Sequence, residues 1–337
     1  MASYLSHDSG SRSSVVDEDF SGYTLAVLIP CYNEEGTVGK VVSEFRKALP
    51  MAEIFVYDNN STDGTREAAL AGGAVVRSEP LQGKGNVIRR MFSDIEADIY
   101  LIVDGDDTYH APSAPLLVQR LLSDHLDMVN ASRISQVKQA FRPGHRFGNI
   151  LLSRIVAGIF GDRIKDMLSG YRVFSRRFVK SFPALSNEFE IETELTVHAL
   201  ELRMPIAEIE TPYKERPAGS FSKLKTGRDG VRILKMIAAV VKEERPLPFF
   251  SLLFAILASV SVILAVPIFM EYHATGLVPR FPTAILSTGM MLLGFLCLGC
   301  GLILDTVTHG RREMKRMLYL FYGDTSSLQT NSRRIGS

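Results

Sequence analysis

Tryptophan is absent from the 337 residues, cysteine occurs only three times, and neither sign of charge dominates, with 38 basic residues against 37 acidic ones. The even balance leaves no global field to draw in a polyanion, which argues against nucleic acid as a partner. Cys31 lies far along the chain from Cys297 and Cys300. No disulfide framework fits that spacing, a structural zinc would lack its soft ligands, and the chain reads as reduced and cytosol-facing. Residues 1–22 are rich in Ser and Asp and hold no apolar run of the kind a signal peptide needs. They read as a disordered tail, as do residues 325–337. Internal repeats are lacking too. So is a Walker loop, and the dinucleotide fingerprint is incomplete, because Ile88 stands where its third glycine belongs. Simple ATPase and dehydrogenase readings lose ground accordingly.

What the chain does have is concentrated apolar sequence. Mean hydropathy is +0.10, and it is carried by residues 249–270 and 283–304, neither of which contains a charge. About 22 residues of helix span roughly 33 Å, enough to cross a hydrocarbon core of about 30 Å. Neither run shows the polar stripe of a helix in a soluble core. Arg228, Arg232, Lys235, Lys242 and Arg245 precede the first run, Arg311, Arg312, Lys315 and Arg316 follow the second, and only Arg280 lies between. Positive flanks stay in the cytosol, so both long ends are expected there, with residues 271–282 as an outer turn. Gly294, Cys297 and Gly301 place small side chains on one face of the second run, a face suited to close helix contact. The chain thus divides into a tail (1–22), a main domain (23–225), an amphipathic juxtamembrane helix (226–248), a transmembrane hairpin (249–304), a second amphipathic helix in the headgroup layer (305–324) and a tail (325–337).

The remaining segment alternates strands and helices. Residues 25–29, 53–57, 74–77, 98–103 and 127–131 are short apolar or β-branched runs, and helical patterns cover 37–49, 62–71, 86–95 and 113–123. That alternation predicts an α/β doubly wound sheet with right-handed crossovers. Ligands of such sheets bind beyond the carboxyl ends of the strands. Four polar clusters fall there: Pro30 to Glu35 after the first strand, Asp58 to Thr65 after the second, Gly83 to Gly85 after the third, and Asp104 to Asp107 after the fourth. Together they describe a site for a polar, polyanionic ligand.

Asp104 and Asp106 straddle a glycine, so both carboxylates can share one hard cation, Mg2+ or Mn2+, which would neutralise a departing diphosphate. Asp58 can accept hydrogen bonds from a base or ribose, while Ser61 or Thr62 is placed to cap the following helix and Asp63 and Gly64 read as structural. Lys84, at the opening of a helix, offers a point charge to phosphate. The glutamates of residues 189–202 read as solvated or paired with Arg on an amphipathic helix, and the histidines, His198 included, as structural.

Together, residues 29–35 (IPCYNEE), 58–65 (DNNSTDGT), 104–107 (DGDD), 166–172 (DMLSGYR) and 219–224 (GSFSKL) resemble the inverting GT-A glycosyltransferases of family 2. Among these the similarity is to the polyprenyl- or dolichyl-phosphate sugar synthases, and it covers roughly residues 24–232. The twin-span tail matches the bacterial polyprenyl-phosphate enzymes. The resemblance implies a GT-A, Rossmann-like domain, a UDP- or GDP-linked sugar donor, a polyprenyl phosphate acceptor, and action at the cytosolic face of the inner membrane by a homo-oligomer. Carried over by motif, Pro30, Tyr32, Glu34 and Asp58 hold the nucleoside, Asp104 and Asp106 the cation and diphosphate, and Arg133, Arg146 and Lys223 the acceptor phosphate. Asp166 matches the position often assigned as base, or it orients Arg172 or a neighbouring cation. Thr108 departs from mannose synthases that place a metal-ligating Gln there.

A lipid monophosphate has a second pKa near 6, is largely dianionic at neutral pH, and needs no strong base. Bringing two anions together needs positive charge, for which Arg133, Arg146, Arg216, Lys223 and Lys225 are available. Three other readings compete. Processive polysaccharide synthases carry a Gln-x-x-Arg-Trp motif that a chain without Trp cannot supply. Phosphatases of the haloacid dehalogenase type share D-x-D-x-T at residues 104–108, but after their first strand rather than their fourth. A non-catalytic membrane scaffold would have no need of Asp104, Asp106 and Lys223.

Overall fold

The computed structural model describes residues 20, 22–134, 164–183, 191–214, 242 and 245–323. Arg146, Arg216, Lys223 and Lys225, and nearly all of the first juxtamembrane stretch, lie outside the described residues. Seven strands form one mixed sheet: β1 (Leu25–Cys31), β2 (Glu53–Asp58), β3 (Val75–Ser78), β4 (Ile99–Ile102), β5 (Met128–Ile134), β6 (Arg172–Ser175) and β7 (Ile206–Pro212). Their order is β3-β2-β1-β4-β6-β5-β7. β1 pairs parallel with β2 and β4, β2 with β3, and β5 with β7, whereas β6 runs antiparallel to both β4 and β5.

The strands and helices expected between residues 25 and 131 all form, within a few residues of their expected bounds, but the sheet is not the purely alternating one that the sequence predicts. β6 inserts between β4 and β5, and β7 extends the edge. β6 is only four residues long and has no apolar run to announce it; β7 alternates Ile206, Glu208 and Glu210 with Ala207 and Ile209, a period-two signal that was open to reading. The reversal of β6 has a direct consequence for the site. The chain entering it, residues 166–171, arrives at the same edge where β4 and β5 end.

Helices α1 (Val38–Ala48) and α4 (Ala114–Ser123) cover one face of the sheet, burying Val38, Val42, Phe45, Leu117 and Val118 against Val27 and Ile29 of β1. Helix α2 (Thr65–Ala71) flanks α1. The other face takes α3 (Lys84–Asp94), α5 (Arg176–Ser181) and α6 (Ile191–Glu201), which bury Met91, Phe92, Phe178 and Leu195 against Ala26 and Leu28. The period-two alternation of β1 supplies both layers. Helix α6 is not the amphipathic helix that its glutamates suggest, since nine of its eleven residues are buried.

Helices α7 (Pro246–Thr275) and α8 (Phe281–Phe321) are each long and apolar enough to cross a membrane, and only 11% of either apolar stretch is buried. Ile263, Phe269, Leu296 and Ile303 are among the large side chains left exposed, which points to association with a membrane. The two helices pack together. The buried positions of α8, Ser287, Gly294, Gly301 and Thr308, recur every seven residues, the period of a left-handed helix seam. A Cβ on Gly301 would lie 2.8 Å from Phe250 Cβ, and one on Gly294 3.2 Å from the Phe254 ring. The small-residue face read as open to close helix contact is therefore filled within the chain, and it offers no argument for a subunit contact.

A second expectation also changes. The headgroup-layer helix assigned to 305–324 is not a separate element, because α8 runs unbroken through 41 residues, roughly 60 Å. Composition shifts near Asp305, but no proline interrupts the backbone there. Beyond its apolar part α8 docks on the sheet domain. Arg312 Nε and Lys315 Nζ lie 3.2 and 2.7 Å from the buried Glu201 carboxylate. Tyr319 donates to Asp127 Oδ2 at 2.7 Å and stacks against Arg177.

Candidate active site

The loops after β1 and β2 are stitched to each other by side chain to backbone bonds. Asn33 N donates to Ser61 Oγ (2.9 Å), Thr62 N to Asn33 Oδ1 (2.8 Å), Glu34 N to Thr65 Oγ1 (2.8 Å) and Gly64 N to Glu35 Oε2 (3.1 Å). Asn33 holds a left-handed φ of 51°, which asparagine tolerates. These bonds pull residues 61–64 into the loop, so α2 begins at Thr65 and neither Ser61 nor Thr62 caps it; Asp63 Oδ1 receives Thr65 N instead. Asp58 Oδ1 accepts from Ser61 N at 3.2 Å. Its other oxygen has no partner among the described residues. Pro30, Tyr32 and Glu34 stand half-buried beside it on the same edge.

Asn59 fastens the third loop: its amide donates to the Glu79 and Leu81 carbonyls, both at 2.8 Å, and its Oδ1 receives Gly83 N at 2.7 Å. Gly83 takes φ of 127°, a conformation that excludes a side chain, and Lys84 follows as the first residue of α3. Lys84 Nζ lies 2.5 Å from Asp104 Oδ1 and 2.5 Å from Glu192 Oε1 of α6. Burial opposes the charge on Lys84, but the two carboxylates outweigh it and hold its pKa above the ordinary lysine value.

Around Asp104 the backbone is crowded. A Cβ on Gly105 would come within 2.6 Å of Cys31 Sγ, and one on Gly170 would collide with the Asp104 carboxylate. Asp106 is buried and its Oδ1 accepts from Thr108 N (3.3 Å) and Thr108 Oγ1 (2.6 Å). Thr108, where mannose synthases place Gln, thus orients Asp106. Asp107 is spent on structure, pairing with Lys40 at 2.5 Å and Lys214 at 3.3 Å.

Tyr109 joins this corner to the next. Its hydroxyl accepts from Gly170 N at 2.8 Å and sits within the fields of both Asp104 and Arg133. Arg133, near the end of β5, makes a two-pronged pair with Asp166, Nε to Oδ2 at 2.7 Å and a terminal nitrogen to Oδ1 at 2.8 Å, and its side chain lies over the Tyr213 ring. Burial favours the neutral acid at Asp166, yet the Arg133 bonds and charge prevail and hold the carboxyl below its usual range. Arg172 does not hydrogen-bond to Asp166. Fully buried, it donates to the Met167 and Ser169 carbonyls and to Thr196 Oγ1.

Comparison with known proteins follows this geometry. Residues 26–182 match the family model described as glycosyl transferase family 2. Glycosyltransferase AglJ of Haloferax volcanii is 33% identical over 301 residues, which cover 87% of this chain and 97% of that protein. The chain belongs to glycosyl transferase family 2. The dolichyl-phosphate hexose transferase of the same organism is 29% identical over 221 residues, 66% of this chain and 95% of that one. Among solved structures, glucosyl-3-phosphoglycerate synthase of Mycobacterium tuberculosis, in complex with Mn2+, uridine diphosphate and phosphoglyceric acid, superposes with a TM-score of 0.54 at 23% identity, covering 66% of this chain and 78% of that one. The sheet domain is of the GT-A type.

For a family 2 transferase the donor set at the fourth loop suits a hard divalent cation. No third His, Cys, Asp or Glu joins Asp104 and Asp106 in a metal-holding cluster among the described residues. Two carboxylates are what Mg2+ or Mn2+ ordinarily takes when phosphate oxygens and water complete its shell. The ammonium on Asp104 shows that this carboxylate already attracts positive charge into the cleft. Glu192 is the residue that motif reading passes over, because its contact with Lys84 spans 108 positions of sequence. Its only signal was an acidic side chain within an apolar stretch.

Proposed function

We propose that this family 2 glycosyltransferase moves a single sugar, with inversion, from a UDP- or GDP-linked donor to polyprenyl phosphate at the cytosolic face of the inner membrane. One observation carries the reading: a sheet edge that gathers Asp104, Asp106, Lys84 and Arg133 belongs to a domain gripped, through Glu201 and Asp127, by a helix that continues an apolar hairpin. A long-chain lipid acceptor does not leave the bilayer, so the enzyme must work at its surface.

In this reading Pro30, Tyr32, Glu34 and Asp58 hold the nucleoside, and Lys84 meets the diphosphate. Asp104 and Asp106 would hold Mg2+ or Mn2+, which when bound neutralises charge growing on the departing nucleoside diphosphate. A phosphate oxygen of the acceptor forms the bond to the anomeric carbon from the face opposite the leaving group. The bond from that carbon to the diphosphate oxygen breaks, and its electron pair leaves with the nucleotide. Asp166 acts here by fixing Arg133 for the acceptor phosphate. A carboxyl held below its usual range by an arginine is a poor base, and a dianionic phosphate needs none. Arg146 and Lys223 are proposed as further acceptor contacts. The relative that acts as a dolichyl-phosphate hexose transferase supports the lipid acceptor, and the solved complex with Mn2+ and uridine diphosphate supports the donor and cation.

The test uses the full chain in detergent or nanodiscs with polyprenyl phosphate, Mg2+ and a panel of labelled nucleotide sugars, read by mass spectrometry. One donor is expected to yield a polyprenyl-phosphate-linked sugar. No lipid-linked product with any donor overturns the proposal.

A further inference from the structure

Glu192 lies in none of the sequence motifs, yet it closes the charge balance of the donor edge. Its side chain, in the first turn of α6, is 9% exposed and that of Lys84 10%, so the ammonium sits between Glu192 and Asp104, largely out of water. Two carboxylates flank one ammonium, and the charge of the buried Arg172 guanidinium is felt at Glu192, so the charge around Lys84 is close to balanced. Arg172 acts on Glu192 through its field and not by direct pairing, since its guanidinium hydrogens go to the Met167 and Ser169 carbonyls and to Thr196 Oγ1. Thr196 in turn donates to the Glu192 carbonyl at 3.0 Å, so Arg172 steadies the turn of helix that carries Glu192.

We propose that Glu192 is a positioning residue for donor binding: it holds Lys84 in the cleft so that Asp104 can be released to a cation and diphosphate without stranding a buried ammonium. The proposal rests on the donor-site reading given above. Asp104, with 28% of its side chain exposed, is the more accessible of the two partners and the one placed to change ligand. Without Glu192, Lys84 keeps Asp104 as its one carboxylate partner among the described residues. A buried cation with a single anionic partner gives it up at high cost. The arriving metal must then compete with the ammonium for Asp104.

Calorimetric titration of the full-length protein with UDP and, in parallel, GDP at graded Mn2+ tests this for the wild type, Glu192→Gln and Glu192→Asp, with the melting temperature of each recorded. Glu192→Gln is expected to raise the Mn2+ concentration for half-maximal nucleotide binding about tenfold and to lower the melting temperature by several degrees, since it takes one carboxylate from a buried ammonium, and Glu192→Asp to recover most of the binding loss. Wild-type behaviour in Glu192→Gln overturns the proposal. So does equal impairment of both variants in step with a lowered melting temperature, which assigns Glu192 to helix packing alone. A wild type that binds neither nucleotide at any Mn2+ concentration overturns the donor-site reading, and this proposal with it.

Discussion

The two ends of the sheet are built by different means. At the end where β1, β2 and β4 terminate, the polar residues lie within a few positions of one another along each loop, and neighbouring loops are sewn together through Asn33, Asn59, Ser61 and Thr65. At the opposite end Asp127, wholly buried before β5, accepts from Ser175 Oγ at 2.7 Å, from Arg177 and from Tyr319, the last from 192 positions away. Glu201, its side chain likewise buried, faces Arg312 and Lys315 across more than a hundred residues. One end gathers the proposed site in locally encoded loops, and the other fixes the domain to its apolar helices through distant pairs. Strands β5 and β6 and helix α6 run between the two, with Arg133, Arg172 and Glu192 toward one end and Asp127, Ser175 and Glu201 toward the other.

The division predicts that changes at the first end abolish activity and leave stability, while changes at the second do the reverse. Asp106→Asn keeps an acceptor for Thr108 but removes the charge that a divalent cation requires. A loss of roughly a hundredfold or more in kcat/KM is expected, since such a cation supplies several kcal/mol, with the melting temperature within a few degrees of wild type. Unfolding of this variant would erase the distinction between the ends. Arg133→Lys and Asp166→Asn come next. Each breaks the two-pronged pair, and lysine cannot restore its geometry. About a tenfold to hundredfold loss is expected, concentrated in the KM for the lipid acceptor. A double variant no worse than either single one would show that the two residues act as a unit. Because Asp166 is held below its ordinary range, the pair persists above the usual carboxylate pKa and is lost only as pH falls through the depressed value. No acid limb from this residue is expected near neutrality; a limb found there and lost in Asp166→Asn would show a carboxyl that Arg133 does not hold low.

The edge proposed as catalytic was legible as a place because its motifs are contiguous: a strand, then Asp58, Lys84 or Asp104, each at the position where parallel strands present ligands. The carboxylates proposed for a cation and the membrane-type helices could be named from residue type and run length alone. Arg133 and Asp166 were named separately, but their two-pronged contact depends on β6 reversing direction, and four residues of strand carry too little pattern to announce that. Glu192 and Glu201 were hidden for the opposite reason. A carboxylate on a helix looks solvated until the partner that buries it, Lys84 or Arg312, is brought in from elsewhere. The change in composition at Asp305 misled in turn, since it marks where helix α8 is expected to leave the bilayer and not where it stops.

Stability at the docking end should depend on pH through His198. Burial among Phe178, Phe182 and Ser181, with Lys315 nearby, pushes its pKa down to about 3. The unfolded chain takes up this proton near pH 6.5, so the stabilisation is fully present above that value and is lost as pH falls toward 3. His198→Gln should flatten the acid limb of melting temperature against pH between 6.5 and 4. Glu201 and Asp127, the other ionisable groups packed there, remain in both proteins and cancel in the comparison. Glu201→Gln itself should cost roughly 1–3 kcal/mol, less than a fully buried pair because Arg312 retains 27% exposure. Activity in nanodiscs should fall far less than it does in Asp106→Asn.

The smallest expected effect lies inside the hairpin. Ser261 Oγ donates to the Ser287 carbonyl at 2.8 Å, and Ser287 Oγ donates back to the Ser261 carbonyl at 2.9 Å, a reciprocal contact between α7 and α8. Each hydroxyl meets a carbonyl already used within its own helix, so removing it strands no backbone group, and alanine lets the helices close slightly. A double-mutant cycle of Ser261→Ala and Ser287→Ala, followed by unfolding in detergent, should give a coupling of about 0.6 kcal/mol. The Tyr319→Phe change at the docking end should cost about 1 kcal/mol, because it withdraws a donor from a buried carboxylate. A serine coupling larger than the tyrosine loss would place the main clasp of this chain within the apolar helices and demote the Glu201 and Asp127 contacts to a secondary role.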